Sequence, residues 1–301
     1  MTAARNTLLI GVDGGGTGCR VAIADQNQHV LATAEGGRAN VATDFELAIK
    51  NIRETMERAA QSASLSPDVL AKATVYMGLA GAVTNDVSAR VEAAFGYDHV
   101  TVTDDRPTAM EGGLAGEDGF VVAVGTGTFI GCRRDGNNTY VGGYGLYVSD
   151  QASGAWLGKR LLELTLLSYD GARPHTDLTL TTLTKFGGDP HQIAAFSISA
   201  KPGEYGRLAP DVVSAAQSGD AVGAAILDEG FAYLEAGLIA LDYRPVDTLC
   251  LTGGLGQHYV DQFKAKGITN IIAPRCSSVI GAVRLAGRAA QLTSTIPDQA
   301  S

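Results

Sequence analysis

The stretch Asp13-Gly14-Gly15-Gly16-Thr17-Gly18-Cys19-Arg20 follows the short apolar run of residues 8–12, and it decides the fold. The run predicts a strand, and the glycines predict a turn into a second strand at residues 19–25. A third strand at residues 30–35 completes a predicted β-meander. Glycines in such a turn let backbone N–H groups approach a phosphate without a side-chain clash. Considered alone, an ordinary glycine hairpin is the alternative.

The same pattern returns in the second half of the chain. Residues 120–124 form another apolar run, which ends in Gly125-Thr126-Gly127-Thr128 and is followed by predicted strands at residues 129–133 and 139–141. This repetition of a strand-turn-strand unit indicates an internal duplication. Two glycine turns of this kind would be suited to hold the β- and γ-phosphates of one nucleotide.

Around these hairpins, apolar residues at three- and four-residue spacing alternate with short apolar runs, which is typical of mixed α/β sheets. Asp44 is predicted to open a long helix that extends to about Ser64. The expected lobes are residues 1–117 and 118–301, with a frayed tail from Leu292. The other predicted strands are 73–79, 99–103, 248–252 and 270–273, and the other predicted helices are 87–95, one from Pro107, 154–167, 178–186, 209–217, 221–241 and 278–291.

The composition is that of a packed globular protein, with 45% hydrophobic and 18% charged residues among 301. A net charge of −9 argues against a nucleic-acid partner, because no basic surface is available to neutralise phosphates. No apolar run approaches the roughly 20 residues that cross a bilayer, and the first residues do not resemble a signal peptide. We therefore expect a cytoplasmic protein without a membrane partner. Its four scattered cysteines suit reduced thiols better than a zinc site or a disulfide framework.

Other nucleotide motifs fit the chain less well. The sequence has no Gly-x-x-x-x-Gly-Lys-Ser/Thr, and its first glycine turn leads into a strand where a dinucleotide-binding fold needs a helix. The five histidines have neither metal-ligand spacing nor a serine in a nucleophile elbow. A third glycine turn, Thr252-Gly253-Gly254-Leu255-Gly256, follows a predicted strand and is suitably located for an adenosine contact.

Two carboxylates, Asp104 and Asp105, follow the predicted strand at residues 99–103 and precede the helix from Pro107. Side chains at this end of a strand point into a cleft in open α/β sheets. A carboxylate there could accept the proton of a hydroxyl that attacks a phosphate. The alternative is that both aspartates cap the helix.

The three glycine turns, in this order, resemble the phosphate 1, phosphate 2 and adenosine motifs of the actin, hexokinase and Hsp70 superfamily. Over nearly its whole length the chain resembles the BadF/BadG/BcrA/BcrD ATPase family, in particular its N-acetylglucosamine and glucosamine kinases. The resemblance implies an actin-like (ribonuclease H-like) duplicated α/β fold of two lobes, with an ATP cleft between them. It implies that ATP is bound by Asp13, Gly14, Gly15, Gly16, Thr17, Gly125, Thr126, Gly127, Gly253 and Gly254. Mg²⁺ is expected at Asp13, through its hydration shell.

In the resembling kinases, the base belongs to a strand-Asp-x-x-x-Ala segment, and aligning Ala109 selects Asp105. Asp104 then has a neighbouring structural role. Sugar contacts are implied at Asn40, Asp105, Thr128, Gly143, Tyr144 and Asp150, since amides and carboxylates bind sugar hydroxyls and an aromatic ring can cover a sugar face. For Asn40 the alternative is a turn residue, and for Asp150 it is a helix cap.

The implied reaction is ATP-dependent phosphorylation of D-glucosamine or N-acetyl-D-glucosamine at the 6-hydroxyl, by a homodimer. N-acetylglucosamine kinases tend to have Gly-Asp-Glu-Gly where this chain has Ser149-Asp150-Gln151-Ala152, and this difference favours free glucosamine. The family also contains ATPases that activate radical dehydratases or aryl-CoA reductases through a cysteine-ligated iron–sulfur cluster, an alternative that the scattered cysteines oppose. A non-catalytic sugar sensor is a third possibility, which Asp105 and both phosphate turns oppose.

Overall fold

A computed structural model describes residues 7–294 of the chain. The chain folds into two compact units, one containing the residues up to Glu117 and those from Pro274 onward, the other Asp118–Ala273. The expected second lobe of residues 118–301 differs from this division at its end. The tail from Leu292, expected to fray, continues as helix to Ser294 and otherwise lies outside the described residues. Within residues 7–294, no helix has the length and apolar character of a membrane span.

The first unit is built on a five-stranded sheet of order β3-β2-β1-β4-β5. Its strands are β1 (Leu9–Gly14), β2 (Cys19–Ala24), β3 (Val30–Gly36), β4 (Thr74–Leu79) and β5 (His99–Thr103). Strands β1, β2 and β3 form the predicted antiparallel meander, whereas β4 and β5 run parallel to β1. Both faces of β1 are covered, since Leu9 packs in one hydrophobic cluster and Ile10 and Val12 in another. This explains why β1 is a continuous apolar run without alternation.

The second unit repeats this arrangement with a sheet of order β10-β9-β6-β7-β8. Its strands are β6 (Gly119–Val124), β7 (Thr128–Arg134), β8 (Asn137–Gly142), β9 (Leu249–Thr252) and β10 (Ile271–Ile272). Strands β6, β7 and β8 are again antiparallel, and β9 and β10 are again parallel to the first strand of the meander. The internal duplication predicted from the two glycine turns is thus present in the strand order of both sheets.

Helices flank both sheets. Those of the first unit are α1 (Phe45–Ser62), α2 (Pro67–Leu70), α3 (Asn85–Phe95), α4 (Arg106–Leu114) and α12 (Ser278–Ser294). Those of the second unit are α5 (Gly154–Tyr169), α6 (Asp177–Lys185), α7 (Pro190–Ser199), α8 (Pro202–Gly206), α9 (Ala209–Gln217), α10 (Ala221–Ala240) and α11 (Val260–Ala265). The long helix predicted after Asp44 is α1, because the Asp44 carboxylate accepts the Leu47 N–H and Ile49, Ile52 and Met56 are buried.

Helices α7 and α8 occupy a segment for which the sequence predicts no element. Helix α7 buries only Ile193, so its apolar periodicity is weak. Helix α8 has only five residues. The signals that were available are local, since Pro190 and Pro202 stand in the first turns of the two helices.

Helix α12 belongs to the first unit because it packs against β1. A Cβ atom on Gly11 would lie 2.5 Å from the Val279 carbonyl oxygen and 2.6 Å from the Val283 nitrogen. Only a glycine in β1 permits this approach of the helix backbone to the sheet. Apolar side chains of the helix, including Val279 and Val283, then share a buried cluster with Leu9. This packing is the physical reason why the residues from Pro274 onward do not follow the predicted lobe boundary.

Candidate active site

The first glycine turn joins β1 to β2 at the end of the sheet where β4 also ends. The Gly15 N–H donates to the Gly18 carbonyl at 2.8 Å, and the Ala39 N–H donates to the Gly15 carbonyl at 2.9 Å. Among the described residues, the amides of Gly16 and Thr17 donate to no protein acceptor. A turn that is fixed on one side and has two unused N–H groups is the arrangement that binds a phosphate oxygen.

Asp13 lies in β1 just before this turn and is half-buried. Burial raises the pKa of its carboxyl, and the guanidinium of Arg20, 3.9 Å away, opposes this effect. A carboxylate that has lost part of its hydration is stabilised by a nearby cation. One carboxylate beside a phosphate turn fits Mg²⁺, which retains several waters and takes its other ligands from substrate phosphates. Among the described residues, no group of three or more His, Cys, Asp or Glu side chains is arranged around a metal site.

The structure distinguishes Asp104 from Asp105. Asp104 caps helix α4, since its carboxylate accepts the backbone N–H of Arg106 at 2.9 Å and pairs with the Arg106 guanidinium at 2.9 and 2.8 Å. Asp105 is the residue from which the helix starts, yet its side chain makes no capping hydrogen bond. The capping interpretation therefore applies to Asp104 and not to Asp105.

The carboxyl of Asp105 has a strongly altered acidity. Burial, and then the negative charges of Asp104 and Asp13, raise the pKa of Asp105 to about 7. A group with this pKa is present in both protonation states near neutral pH, as a general base requires. Such perturbed carboxyls occur preferentially at functional sites.

Sheet register explains why Asp13 and Asp105 lie at the same edge. Asp13 pairs with Gly78 of β4, and Gly78 pairs with Thr103 of β5, so the three residues form one row across the parallel strands. Asp105 follows Thr103 by two residues. Because neighbouring strands are about 4.8 Å apart, the row places the end of β5 roughly 10 Å from β1. Gly78 also admits α4, because a Cβ atom there would collide with the Thr108 side chain.

The second glycine turn, between β6 and β7, lies against the N-terminus of α5. The carbonyls of Gly125 and Thr126 accept the backbone N–H groups of Gly154 and Ala155 at 2.8 and 3.3 Å. Within the part of the chain that is described, the amides of Thr126 and Gly127 donate to no protein acceptor. The positive end of the helix dipole adds to these amides in favouring an anion.

Asp150 connects this second turn to the loop that follows β8. Its carboxylate accepts the Gly145 N–H at 3.2 Å and also the Thr128 N–H, while burial raises the pKa of its carboxyl. It is not the cap of α5, because the Ser153 hydroxyl accepts the Trp156 N–H there. Asp150 has the positive φ of 64° that few residues other than glycine adopt, so the turn around it is strained.

Other predicted sugar contacts are located as follows. Tyr144 is 72% exposed, and it follows Gly142 and Gly143, which both have a φ of 79°. The hydroxyl of Thr128 is buried and has no hydrogen-bond partner among residues 7–294. The side-chain oxygen of Asn40 accepts the N–H groups of Ala42 and Thr43, each at 3.0 Å. Asn40 is therefore a turn residue, and its amide nitrogen is the group that remains for a ligand.

The third glycine turn follows β9, the parallel neighbour of β6. Gly253 has a φ of 82°, and a Cβ atom there would collide with the Val124 carbonyl, which precedes the second glycine turn. The Leu255 N–H donates to that same carbonyl at 3.0 Å. A Cβ atom on Gly254 would have no heavy atom of the described residues within 4 Å, so the surface at Gly254 is open. The second and third turns thus adjoin one another within the second unit.

Two features of the site were missed from the sequence. Arg20 was not assigned a role, although it is the cross-strand partner of Asp13 and its Nε also lies 3.3 Å from a Glu35 oxygen. The hairpin itself carried the signal, because a turn closed between Gly15 and Gly18 pairs residue 13 with residue 20. The α5 N-terminus was also missed, since its contact with the second turn joins segments that are remote in sequence.

Comparison with known proteins agrees with the family resemblance that the sequence motifs indicated. A model of the BadF/BadG/BcrA/BcrD ATPase family matches residues 10–286. Glucosamine kinase GspK of Vibrio cholerae is 33% identical over 280 residues, which cover 93% of this chain and 95% of that protein.

Solved structures are similar over the same length. One from Chromobacterium violaceum, described as a candidate N-acetylglucosamine kinase, has a TM-score of 0.86 at 33% identity and covers 93% of this chain and 99% of that chain. A ROK family glucokinase from Streptomyces griseus, in complex with glucose and AMPPNP, has a TM-score of 0.59 at 18% identity and covers 94% and 99%. The predicted actin-like α/β fold is confirmed by these likenesses together with the two repeated sheets.

Proposed function

The chain belongs to the BadF/BadG/BcrA/BcrD ATPase family, and on this premise we propose that it is an ATP-dependent amino sugar kinase whose preferred substrate is free D-glucosamine. The similarity to glucosamine kinase GspK, at 33% identity over almost the full length of both chains, supports the substrate class. The proposed acceptor is the 6-hydroxyl, the primary alcohol of the sugar.

The observation that carries the proposal is the state of Asp105. Its carboxyl has a pKa of about 7 and makes no capping bond, and it shares a sheet edge with Asp13 and the first glycine turn. A structural aspartate would be expected to use its oxygens in the way that Asp104 does. An aspartate reserved for proton transfer has the properties of Asp105.

In the proposed mechanism, the ionised carboxylate of Asp105 accepts the proton of the 6-hydroxyl as that oxygen attacks the γ-phosphorus of ATP. The bond from the sugar oxygen to phosphorus forms while the bond from phosphorus to the β-phosphate bridging oxygen breaks, and ADP leaves. The amides of Gly16 and Thr17, and those of Thr126 and Gly127, would bind phosphate oxygens. Asp105 then returns its proton to solvent.

Asp13 would hold Mg²⁺ through water, next to the first phosphate turn. When bound, this ion neutralises charge on the phosphates during transfer. Arg20, whose guanidinium lies 3.9 Å from the Asp13 carboxylate, would add positive charge beside the same phosphates. The Gly253-Gly254 turn would contact the adenosine.

Free glucosamine is preferred over its acetylated form because of the loop that begins at Gly143. An ammonium group at position 2 is a hydrogen-bond donor, which matches acceptor groups such as the Asp150 carboxylate. The exposed ring of Tyr144 would cover the apolar face of the sugar. The same loop contains Ser149, Gln151 and Ala152. These residues stand where the Gly-Asp-Glu-Gly motif of N-acetylglucosamine kinases has Gly, Glu and Gly.

The test is a coupled ADP-release screen over glucosamine, N-acetylglucosamine, N-acetylmuramic acid and glucose, with wild-type and Asp105→Asn proteins. We expect the highest kcat/KM with glucosamine and a loss of at least about 100-fold in the variant. ADP release that does not depend on sugar, or full activity of the variant, would refute the mechanism. The phosphorylated carbon is identified by ³¹P–¹H correlation NMR of the product.

We also propose that the enzyme is a cytoplasmic homodimer. A cytoplasmic location fits the use of ATP and the four free cysteines, of which Cys19, Cys132 and Cys250 are buried. Light scattering coupled to size exclusion measures the mass directly, and a monomer mass at micromolar concentration would contradict the dimer. Iron analysis of anaerobically purified protein tests the dehydratase-activator alternative in the same preparation.

A further inference from the structure

We propose that α12 positions Asp105, the proposed base. The ion pairs of the buried Glu111 on α4 with Arg284 and Arg288 on α12 hold the two helices together. In this role Glu111, Arg284 and Arg288 are positioning residues, which act through α4 and do not touch the substrate. The inference rests on the proposed function, because it concerns how Asp105 is held relative to the first phosphate turn.

Glu111, on α4, has a fully buried carboxylate. Its side chain is 0% exposed, and its Oε1 atom lies 2.7 Å from Arg284 Nε and 2.7 Å from Arg288 Nη2. Arg284 also donates to the Ala115 carbonyl at 2.9 Å, at the C-terminal end of α4. A buried carboxylate without such partners would be strongly destabilising. Arg284 and Arg288 lie one helical turn apart on α12, so sliding α12 along α4 by one turn would leave Glu111 with only one of its two arginine partners. The doubly paired arrangement therefore favours one register of the two helices.

Backbone contacts make the same register tight. A Cβ atom on Gly112 of α4 would lie 3.0 Å from the Ser277 and Ser278 backbone, just at the start of α12. A Cβ atom on Gly281 of α12 would collide with the Thr108 carbonyl and would lie 2.7 Å from the Gly112 nitrogen. Neither helix can be displaced towards the other, and the ion pairs oppose their separation.

This packing reaches the catalytic carboxylates through short connections. On α4, the Thr108 hydroxyl donates to the Asp105 carbonyl at 2.9 Å, so Thr108 links the α12 contact to the base. On the sheet, α12 rests on Gly11, two residues before Asp13 in the same strand. One helix thus contacts both the strand of the proposed metal carboxylate and the helix of the proposed base.

Stability alone does not account for these charges. Replacing a buried ion pair by apolar side chains of similar volume is often neutral or stabilising, whereas in some proteins buried charged groups specify one arrangement over others. Catalysis requires such precision, since a displacement of about 1 Å can reduce a rate by about 100-fold. The three charged residues on α4 and α12 therefore fit a role in positioning the base better than a role in stabilising the fold.

The experiment compares Glu111→Gln and the triple variant Glu111→Met, Arg284→Met, Arg288→Met with wild-type protein. The matched control is Arg275→Met, which breaks an exposed 2.9 Å ion pair with Glu117 in the same unit. Each protein is assayed for kcat and for both KM values well below its melting temperature, and amide hydrogen exchange is followed over residues 106–114. The triple variant keeps the test informative if the loss of the Glu111 charge beside two arginines prevents Glu111→Gln from folding.

We expect kcat to fall by about tenfold or more in both test variants, with KM for ATP and sugar changed less than about threefold. Exchange over residues 106–114 should accelerate, while the melting temperature of the triple variant stays at or above that of wild type. The control should keep wild-type kcat. A folded triple variant with wild-type kcat would overturn the inference, and so would a loss confined to KM. Absence of sugar-dependent ADP release from the wild-type chain would instead refute the proposed function, before any variant is compared.

Discussion

Replacing Asp105 by Asn exchanges the proposed base for a neutral group of the same shape. The substitution keeps the start of α4 intact, because the capping bond to Arg106 comes from Asp104. Removal of a general base lowers the rate by about 10²- to 10⁴-fold. We expect this loss to appear in kcat, since the amides proposed to bind the phosphates are unchanged.

The pH–rate profile of the wild-type enzyme should have an acid limb that is set by the ionisation of Asp105. Its pKa of about 7 means that kcat/KM rises about tenfold per pH unit up to pH 7 and then levels, because the ionised carboxylate is the active form. Asp104→Asn removes one of the charges that raise the pKa of Asp105, so the limb should move to lower pH. An acid limb that arose from ionisation of ATP or of the sugar would stay at the same pH in this variant.

As the pH rises, the stability of the wild-type enzyme should fall while its activity increases. The pKa of Asp105 is raised from 3.8 to about 7 on folding, so the folded state favours the protonated carboxyl. Wild-type stability relative to Asp105→Asn is therefore unaffected below about pH 4, falls as the pH rises from 4 to 7, and is constant above. A shift of this size has an upper bound of about 4 kcal/mol, which partial hydration of the carboxyl reduces to about 1–2 kcal/mol. The variant should melt roughly 2–4 °C higher at pH 8.

The assay pairs pH–rate profiles from pH 5.5 to 9 with melting curves for wild-type, Asp104→Asn and Asp105→Asn proteins. Asp104→Asn serves as the control, because it changes the neighbouring carboxylate and should keep most of kcat at pH 8. Two results would refute the reasoning. One is an acid limb that is the same in wild type and Asp104→Asn, and the other is an Asp105→Asn protein that is active or less stable than wild type at pH 8.

Three further predictions concern the bound ligands. Tyr144→Ala should raise the sugar KM by about tenfold through loss of ring contact, with KM for ATP and the melting temperature unchanged because the ring is 72% exposed; an unchanged sugar KM would exclude Tyr144 from the site. Gly253→Ala should raise KM for ATP and lower stability by about 1–2 kcal/mol or more, since Ala is strained at a φ of 82° and meets the Val124 carbonyl, whereas Gly254→Ala, where the space is open, should keep wild-type stability. Asp13→Asn should raise the Mg²⁺ concentration for half-maximal rate by about tenfold, and an unchanged Mg²⁺ titration would remove Asp13 from the metal site.

Much of the fold was predictable because its signals are local. The apolar run before Asp13 and the glycines after it specify a strand and a tight turn within a few residues. The repetition of that pattern at residues 120–128 indicated the duplicated sheet. Helix α1 was predicted because its N-cap and its buried face are both visible in its own residues. Each of these features depends on neighbours within about one helical turn or one hairpin.

Other features depend on contacts that no local pattern describes. The family resemblance selected Asp105 from two adjacent aspartates, but only the path of the chain into α4 gives the cap to Asp104 and a pKa of about 7 to Asp105. Asp150 was considered as a possible cap for α5, and the structure gives that role to Ser153 instead. These distinctions arise from side-chain direction and from the charges that burial brings together.

By itself, the sequence determined two glycine-turn hairpins of the same kind, the α/β alternation around them, and a carboxylate at the end of each of two strands. Those properties follow from backbone geometry and apolar periodicity, which are written in short segments. Only the tertiary structure decided that α12 packs with the first unit, because that result depends on Gly11, Gly112 and Gly281 allowing backbones to approach across long sequence separations. The close packing of these glycines, and the buried charge of Glu111 beside them, exist only once the segments have come together.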